Sequence, residues 1–525
     1  MKNILLFFLI LTIPLTGCTW AAVLSDEALL DMVQKATLRY FTEGAEPVSG
    51  MALERIHFDE YSSPDIVTSG GSGFGMMALI AGMERGYVAR EAGLEQLTRM
   101  LDFLERADRF HGAFPHWWNG KTGRAFSFSE KDNGGDLVET AFMAQALICL
   151  NRYLLDGTSG EQTLAERADR LWRDIEWDWY TQGGQDRLYW HWSPDYEWAM
   201  NMPITGYNEC LVAYVLAASS PTHEVDSTVY HQGWAQGGDI MRPATVEGGF
   251  SLQLNHHGSV NGGPLFWAHY SYLGLDPRGL SDRYADYFEE CRNQTLANRA
   301  HCVRNPHSYA GYGEACWGLT ACYSVGGYFA HAPHEKTDRG VIAPTAALSS
   351  IVYTPEYSMQ CMRHFYEKLG DRLWGKYGFY DAFSPTEDWY PQRYLAIDQG
   401  PIAVMLENHR SGLLWRLFMS HPDVQAGLRK LGFHSPYLEQ GGTTGDGLLP
   451  EHNIEVGVSD GHLQLSGLLP GCMISLYAAD GRNLRMKQAG VETERINLPA
   501  YNGTLIVRLT HADRAKLMVR KVSVF

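Results

Sequence analysis

The hydrophobic positions between about residue 25 and residue 435 repeat one theme. A helix with a single apolar stripe is followed by a Gly-rich or aromatic loop, and then by a helix that is apolar on nearly every side. The striped helices are predicted at residues 25–41, 93–107 and 161–175. The apolar helices are predicted to begin near Gly73, Asp136, Glu209, Pro264, Gly313, Thr345 and Pro401.

These helix pairs predict a closed ring. A helix that is apolar all round is buried on every side, whereas a helix with one stripe covers it from outside. The apolar helices recur at roughly 50 to 75 residues, which is enough for one helix pair and its loops. We therefore predict an all-α (α/α)6 toroid as the catalytic domain over residues 25–438. An irregular helical array or a solenoid is the alternative.

A different pattern follows the Gly-rich stretch at residues 439–447. Short runs of alternating polar and apolar residues recur from there to the end of the chain, and Asp480-Gly481 is a hairpin signal. This pattern predicts a small C-terminal all-β sandwich over residues 450–525. It carries no catalytic constellation, so we expect an accessory module.

The N-terminus reads as an export signal. Lys2 precedes an apolar run at residues 4–13 that is too short to span a bilayer. The run leads to Leu15-Thr16-Gly17-Cys18, which resembles the lipobox of bacterial lipoproteins. Residues 1–18 are therefore predicted to be a signal peptide, with Cys18 lipidated in the mature protein. The expected location is the periplasm or the outer membrane, with the lipid as the membrane contact; a plain secretory signal is the alternative.

Charge and motifs exclude several classes of function. The chain has 60 acidic and 43 basic residues, and its net charge of -17 disfavours nucleic acid as a partner. The Gly-rich run at residues 69–75 lacks the lysine of a phosphate-binding loop, and it is expected to be a tight loop before a helix. Histidines and cysteines show no metal-ligand spacing, so neither a metal nor another cofactor is expected.

Eight cysteines follow Cys18. Export permits disulfides, and Cys291 with Cys302 or Cys316 with Cys322 are candidate local pairs. Cysteines in apolar helices behave as small hydrophobic residues, so free thiols are the default expectation.

Three acids, Asp132, Asp136 and Glu139, precede or begin one apolar helix. Their spacing places them near one face of the first turns. Acids at this position also cap a helix and favour its dipole, which is the plain structural interpretation. A buried helix can direct three acids to water only through a cavity, and this consideration favours a functional site.

Other acids recur at the starts of apolar helices, at Glu209, Glu314 and Asp398. Each could serve only its helix start. In a toroid, however, the starts of the inner helices lie together at one mouth. Glycosidases need two carboxyl groups across the scissile bond, one protonated and one ionised, and acids crowded in a cleft acquire different pKa values. Tryptophans in the loops, including Trp117, Trp267 and Trp317, would offer stacking faces for sugar rings, although most tryptophans in such a fold pack its core.

The joint set of motifs resembles glycoside hydrolase family 144, the bacterial β-1,2-glucanases formerly called glucoamylase-like. The resemblance covers residues 25–435 and rests on the runs at 69–75, 114–117, 134–140, 206–209, 263–267, 312–318 and 340–347. It implies the toroid fold and inverting hydrolysis of β-1,2-glucan, either endo-acting or releasing sophorose.

The resemblance also implies roles for individual residues. Glu209 matches the general acid, Asp398 is the best match for the general base, and Asp132, Asp136 and Glu139 match an acidic cluster at the cleaved bond. The residues expected to contact the sugar are His116, Trp117, Tyr207, Asn208, Trp267, Glu314 and Trp317. A toroid polysaccharide lyase and a non-catalytic glycan-binding lipoprotein are the alternatives, and a monomer is expected.

Overall fold

The structure is a computed structural model that describes residues 24–439 and seven strands between residues 455 and 524. The predicted signal peptide with Cys18 lies outside the described residues. Within the described part, no helix is long and apolar enough to cross a membrane. The helices are α1 (Asp26–Thr42), α2 (Ser69–Glu84), α3 (Arg90–Arg106), α4 (Leu137–Leu154), α5 (Ser159–Arg173), α6 (Leu211–Ser219), α7 (Ser227–Val229), α8 (Tyr287–Arg304), α9 (Pro344–Leu348), α10 (Pro355–Leu373), α11 (Ala396–Arg410), α12 (Leu413–Met419), α13 (Pro422–Lys430) and α14 (Pro436–Glu439).

The three striped helices are confirmed as α1, α3 and α5. Side-chain capping sets the starts of α1 and α5. Ser25 Oγ accepts a hydrogen bond from the backbone N–H of Ala28 before α1. Thr158 and Glu161 form a reciprocal capping box at α5, which satisfies backbone donors that the first helical turn leaves free. Each of these helices buries one stripe and leaves the opposite side in water.

The apolar helices α2, α4, α6 and α11 form most of an inner ring, and nearly all of their residues are buried. Helix α2 packs between α4 and α11, and α6 packs against α4. Two 3-10 helices, Leu265–Ala268 and Tyr270–Leu273, and α9 complete the ring. The predicted ring of helix pairs is therefore confirmed.

Two expectations for the inner ring are wrong. The Gly-rich run at residues 69–75 is not a loop; it forms the first turns of α2. Its glycines are needed because α4 approaches so closely that a side chain at Gly73 would clash. A Cβ atom on Gly73 would lie 2.7 Å from Met143 Cα. No helix begins near Gly313 either. That segment makes a bridge between Gly313 and Cys316 and then enters a strand at Ala321.

Short antiparallel strands lead into several inner helices. Strand β2 runs directly into α2, β5 into α4 and β13 into α11. Their partners β3, β6 and β1 bring further loops to the same end of the ring. The strands of this part are β1 (Arg55–His57), β2 (Ile66–Thr68), β3 (Trp117–Asn119), β4 (Ala125–Phe126), β5 (Gly135–Asp136), β6 (His191–Trp192), β7 (Met241–Thr245), β8 (Ser251–Leu254), β9 (Ala321–Ser324), β10 (Gly327–Ala330), β11 (Trp374–Gly375), β12 (Gly378–Phe379) and β13 (Arg393–Leu395). We call this end of the ring the mouth.

Seven cysteines of the described chain are buried free thiols. Neither pair considered from the sequence is bonded. Cys291 Sγ lies 3.2 Å from the hydroxyl oxygen of Tyr207, and burial raises the pKa of Cys291 to about 12. The same cause raises the pKa of Cys316 to about 12. These residues therefore act as small core side chains.

The C-terminal strands form two antiparallel sheets. One sheet has the order β14-β15-β18 and the other has the order β17-β16-β19-β20. The predicted alternation is visible in β15, where Leu463 and Leu465 are buried and Gln464 between them is exposed. The seven strands are β14 (Glu455–Ser459), β15 (His462–Ser466), β16 (Met473–Ala478), β17 (Asn483–Gln488), β18 (Glu494–Asn497), β19 (Gly503–His511) and β20 (Arg514–Val524).

Candidate active site

Asp136 stands at the start of α4 and serves two partners. Its Oδ1 accepts hydrogen bonds from the backbone N–H groups of Val138 and Glu139, at 3.0 Å each. Its Oδ2 lies 2.9 Å from His116 Nδ1. The plain structural interpretation of Asp136 as a helix cap is therefore correct for one oxygen only. The second oxygen faces the mouth.

Glu139 lies one turn further along α4 and is also buried. Its Oε2 accepts a hydrogen bond of 2.7 Å from the backbone N–H of Gly70, at the start of α2. Burial raises the pKa of Glu139 to about 7, although the charge of His116 opposes this; the charges of Asp136 and Asp132 add to the rise. Glu139 is thus a carboxyl group that can hold a proton at neutral pH.

His116 is the cation of this cluster. Burial lowers its pKa, but Glu139, Asp136 and Asp132 outweigh burial and raise the pKa of His116 to about 9. Asp132 in turn lies 2.8 Å from His191 Nε2, and the side chain of His191 is almost completely buried. The three acids predicted from the sequence are therefore brought together, with two histidines between them.

Glu209 is placed by the loop that leads into α6. Its side chain is 9% exposed, and its Oε2 is buried without a hydrogen bond to any described residue. Burial raises the pKa of Glu209 to about 7; its own backbone N–H opposes the rise, and the charges of Asp136 and Glu139 add to it. This group combines a buried, unpartnered oxygen with a proton that it can release near neutral pH.

Asp398 lies in the first turn of α11 and is paired with a second acid, Asp381. Burial raises the pKa of Asp398 well above its usual range, and the charge of Asp381 and a hydrogen bond to it add to this rise. Burial raises the pKa of Asp381 to about 6, against the hydrogen bonds from Asp398 and from the backbone N–H of Tyr323. Ionisation is therefore disfavoured more strongly at Asp398 than at Asp381.

The hydroxyl group of Tyr270 connects the two sides of the mouth. Its oxygen lies 3.5 Å from Asp398 Oδ1. Burial raises the pKa of Tyr270 well above its usual range, and the charges of Asp398, Glu139 and Glu209 all contribute. Four buried carboxyl groups from three inner-ring segments thus converge with Asp381 on one partly desolvated space. We call this set (Asp136, Glu139, Glu209, Asp398 and Asp381), together with Asp132, the acid cluster.

His116, Asp132 and Asp136 are the described residues that could hold a metal ion, since one ligand atom from each lies within 4.8 Å of the others. Their chemistry fits a metal poorly. A histidine with a raised pKa is protonated at neutral pH and has no free lone pair on the bonded nitrogen. Asp136 already spends one oxygen on the helix start. We therefore assign the three residues to hydrogen bonding.

The residues expected to contact sugar fall into two groups. Trp117 and Trp267 are partly exposed, and Asn208 lies 3.3 Å from His257 through its side-chain amide. Glu314 is exposed on its loop, and no hydrogen bond described for it joins the acid cluster. These placements leave Trp117, Trp267 and Asn208 available at the mouth.

Two expected contact residues are core residues instead. Tyr207 is 0% exposed, and its hydroxyl points at Cys291 and Gln294 on the outer helix α8. Trp317 is also 0% exposed and packs inside the ring. Both belong to runs that include genuine mouth residues, but their side chains point away from the mouth. Both side chains are buried in this structure, and their contact with sugar stays a prediction.

The pKa values of the acid cluster predict how stability depends on pH. A carboxyl whose pKa rises from 4.5 to about 7 on folding loses stabilising effect as the pH rises through that interval. His116, whose pKa rises from 6.5 to about 9, stabilises the fold below 6.5 and loses this effect as the pH rises through 9. Glu139→Gln removes the pH dependence that comes from Glu139. It also weakens the one that comes from His116, because the charge of Glu139 helps to raise the pKa of His116. Between about pH 5 and pH 8, the free energy of unfolding of the wild type should fall by on the order of 3 kcal/mol more than that of Glu139→Gln.

Urea unfolding at both pH values measures this difference. Glu161→Gln is a matched control, because the pKa of Glu161 is lowered by hydrogen bonds from Thr158 and its effect belongs to more acidic solutions. Equal pH dependence in the wild type and in Glu139→Gln would contradict the assigned electrostatics.

Residues 201–422 match the glycoamylase family model, described as "Putative glucoamylase". A curated protein of Parabacteroides distasonis is an exo β-1,2-glucooligosaccharide sophorohydrolase acting at the non-reducing end. It is 43% identical over an aligned region of 426 residues, and the match covers 78% of this chain and 58% of that protein. The chain therefore spans little more than half of this relative.

Two solved structures match over their full length. The first, from Bacteroides caccae and also described as a "putative glucoamylase", is 62% identical, covers 78% of this chain and 100% of its own, and has a TM-score of 0.77. The second is the endo-β-1,2-glucanase of Chitinophaga pinensis in complex with sophorotriose and glucose. It is 59% identical, covers 79% of this chain and 100% of its own, and has a TM-score of 0.78. The chain belongs to the family that these proteins represent, glycoside hydrolase family 144 of bacterial β-1,2-glucanases.

Proposed function

We propose that this protein hydrolyses β-1,2-glucan with inversion, by general acid and general base catalysis from the acid cluster. The observation that carries the proposal is Glu209, a buried carboxyl with an unpartnered oxygen and a pKa of about 7 at the mouth. The substrate class comes from the relatives, whose names specify β-1,2-glucan or its oligosaccharides.

Glu209 is the proposed general acid. A leaving sugar departs as an alkoxide unless a proton reaches the glycosidic oxygen, so the acid must be protonated before the bond breaks. Burial and the charges of Asp136 and Glu139 supply that condition. Glu209 Oε2 has no competing partner among the described residues, so its proton is available to the substrate.

Asp398 is the proposed general base, acting together with Asp381. In the resting pair the proton sits on Asp398 and is shared with the Asp381 carboxylate. Asp398 Oδ2 is buried and makes no hydrogen bond within the described chain. When this oxygen takes a proton from the attacking water molecule, directly or through a substrate hydroxyl group, the proton already on Asp398 moves to Asp381. Two carboxyl groups that share one proton can thus accept a second proton without leaving a bare buried charge.

Asp132, Asp136, Glu139 and His116 are proposed to bind and orient the sugar beside the cleaved bond. His116 and a protonated Glu139 donate hydrogen bonds, while Asp132 and Asp136 accept them. Trp117 and Trp267 would stack on sugar faces. Sugar hydroxyl groups both donate and accept hydrogen bonds. A mixture of donors and acceptors therefore suits them better than a set of donors alone or of acceptors alone.

The remaining assignments complete the proposal. Residues 1–18 would act as a lipoprotein signal peptide, and lipidation of Cys18 would hold the enzyme in the periplasm or on the outer membrane. Residues 25–438 would form a monomeric catalytic domain. The sheets within residues 450–525 would pack as a β-sandwich, an accessory module without a catalytic role.

Product analysis on linear β-1,2-glucan tests the function. The soluble protein from residue 19 onward should shorten the polymer to sophorose or slightly longer oligosaccharides, detected by chromatography. Sophorose alone from the start would indicate release from a chain end, and mixed lengths would indicate endo action. Binding of the glucan without new reducing ends would support a glycan-capturing lipoprotein instead. Activity on starch or on β-1,3-glucan alone would contradict the assigned substrate.

A further inference from the structure

A tight turn beside Asn208 carries a histidine that the proposed mechanism does not use. His257 and Gly258 have backbone φ angles of 51° and 69°, and the backbone N–H of Ser259 donates a hydrogen bond of 2.7 Å to the carbonyl oxygen of His256. Positive φ at both central positions is typical of a type I′ turn, in which Asn, Asp or Gly usually fills the first central position. The turn itself therefore does not explain why a histidine stands there.

A second turn of the same kind shows what can hold a histidine in this position. His111 and Gly112 have φ angles of 51° and 73°, and Phe110 and Ala113 exchange two backbone hydrogen bonds across them. The ring of His111 stacks on that of Trp179, with ring centroids 3.6 Å apart. Side-chain packing therefore accounts for this second histidine.

The neighbouring His256 fixes the direction in which the His257 side chain points. The His256 side chain is buried, with Nδ1 2.8 Å from the carbonyl oxygen of Gly262 and Nε2 2.7 Å from Glu290 Oε1 on α8. These two contacts anchor the turn to the outer helix. The ring of His257 stays accessible, and its centroid lies 5.7 Å from that of Trp267 at the mouth.

Asn208 is the hydrogen-bond partner of His257. Asn208 Oδ1 accepts a hydrogen bond of 2.9 Å from the backbone N–H of Cys210, so the amide nitrogen faces His257 Nε2, 3.3 Å away. An amide N–H can only donate, so Nε2 is the acceptor and the ring is neutral, with its proton on Nδ1. Partial burial lowers the pKa of His257, and a charge on His256 adds to this, which favours the neutral ring.

The same amide spans the proposed general acid. The hydrogen bond from the Cys210 N–H to Asn208 Oδ1 closes a turn around Glu209, which couples the orientation of the amide to the backbone of Glu209. The hydroxyl group of Ser271 holds Glu209 from the other side, by donating to its carbonyl oxygen. We propose that His257 is a positioning residue, which accepts the hydrogen bond of Asn208 and so holds Glu209 in place to protonate the leaving oxygen. The inference rests on the proposed function.

Two substitutions at His257 separate the hydrogen bond from the turn. Glutamine carries an acceptor at about the distance of Nε2, whereas asparagine is too short to reach Asn208 but suits a left-handed backbone better. We expect kcat to fall by about tenfold in His257→Asn and by less in His257→Gln. KM should stay at the wild-type value, because the positioning of the acid acts on the bond-breaking step. The melting temperature should instead be higher in His257→Asn than in His257→Gln.

Two further variants serve as controls. His111→Asn makes the same change in the second turn and should keep the wild-type kcat. Asn208→Ser keeps an acceptor for the Cys210 N–H but is too short to reach His257. Adding His257→Asn to Asn208→Ser should therefore lower kcat by less than about twofold more, because the two residues act through one hydrogen bond.

Steady-state kinetics on β-1,2-glucan and thermal unfolding give these values. The proposal is overturned if His257→Asn keeps the wild-type kcat, or if His257→Gln is no more active than His257→Asn. A loss in KM alone also overturns it, because that result makes His257 a sugar contact. A wild-type enzyme that releases no sugar from β-1,2-glucan contradicts the proposed function itself, which is a different result from wild-type turnover in the variants.

Discussion

Glu209→Gln is expected to lose most hydrolysis of β-1,2-glucan, on the order of 10²- to 10⁴-fold in kcat. Glutamine keeps the shape of the side chain but carries no acidic proton, so the leaving sugar must depart without protonation. Substrate binding should be nearly intact, because the rest of the acid cluster and the stacking residues Trp117 and Trp267 are unchanged. The wild type should lose activity as the pH rises through about 7, where Glu209 gives up its proton.

Glu161→Gln is the matched control for this variant. Glu161 also stands in the first turn of a helix, but it serves the capping box of α5 on the outside of the ring. Glutamine can still close the capping box, so the variant should lose only the interactions of the charge with Arg90 and the helix dipole, less than about 1 kcal/mol, and keep the wild-type kcat. Hydrolysis rates and melting temperatures of both variants separate the two roles. Turnover near the wild-type level in Glu209→Gln would show that Glu209 only supports its helix.

Asp398→Asn is expected to lose activity by a similar factor, about 10²- to 10⁴-fold, because the attacking water molecule then has no proton acceptor. Asp381→Asn should lose less. In that variant Asp398 can ionise alone and still accept a proton, although it has no second carboxylate to pass one to. The expected order of kcat is therefore wild type, then Asp381→Asn, then Asp398→Asn.

Asp338→Asn supplies the control for a buried aspartate. Asp338 is 2% exposed and accepts hydrogen bonds from His301 and Tyr312, in a network away from the acid cluster. Its replacement should lower the melting temperature and leave the pH profile of kcat/KM as in the wild type. The relay through Asp381 is contradicted if Asp381→Asn shows the wild-type rate and pH profile.

The ring and the acid cluster could largely be predicted from the sequence, because both depend on local signals. An all-apolar helix must be inside, and the residue just before it must lie at the end of the ring. Asp136, Glu209 and Asp398 were found in this way. Asp381 was missed because it follows the short strand β12 and not an inner helix. His191 was missed because only the pairing of β5 with β6 sets it opposite Asp136 in register.

Side-chain direction could not be predicted. Tyr207 and Asn208 are adjacent in the sequence, yet the hydroxyl of Tyr207 points into the core while the amide of Asn208 meets His257. Both residues precede the first turn of α6, so the helical periodicity does not predict which way their side chains point. Trp317 shows the same difficulty, since the expected helix near Gly313 does not exist and the tryptophan enters the core from a loop.

The buried thiols have a consequence for how the protein withstands oxidants. A cysteine reacts as its thiolate, and burial both shields the sulfur and keeps it protonated. The folded ring is therefore indifferent to the redox potential around it. Before the ring folds, these seven thiols can meet an oxidant or each other and form bridges that the ring cannot accommodate. If the protein is exported to an oxidising compartment, oxidation of these thiols would be prevented once the ring has folded.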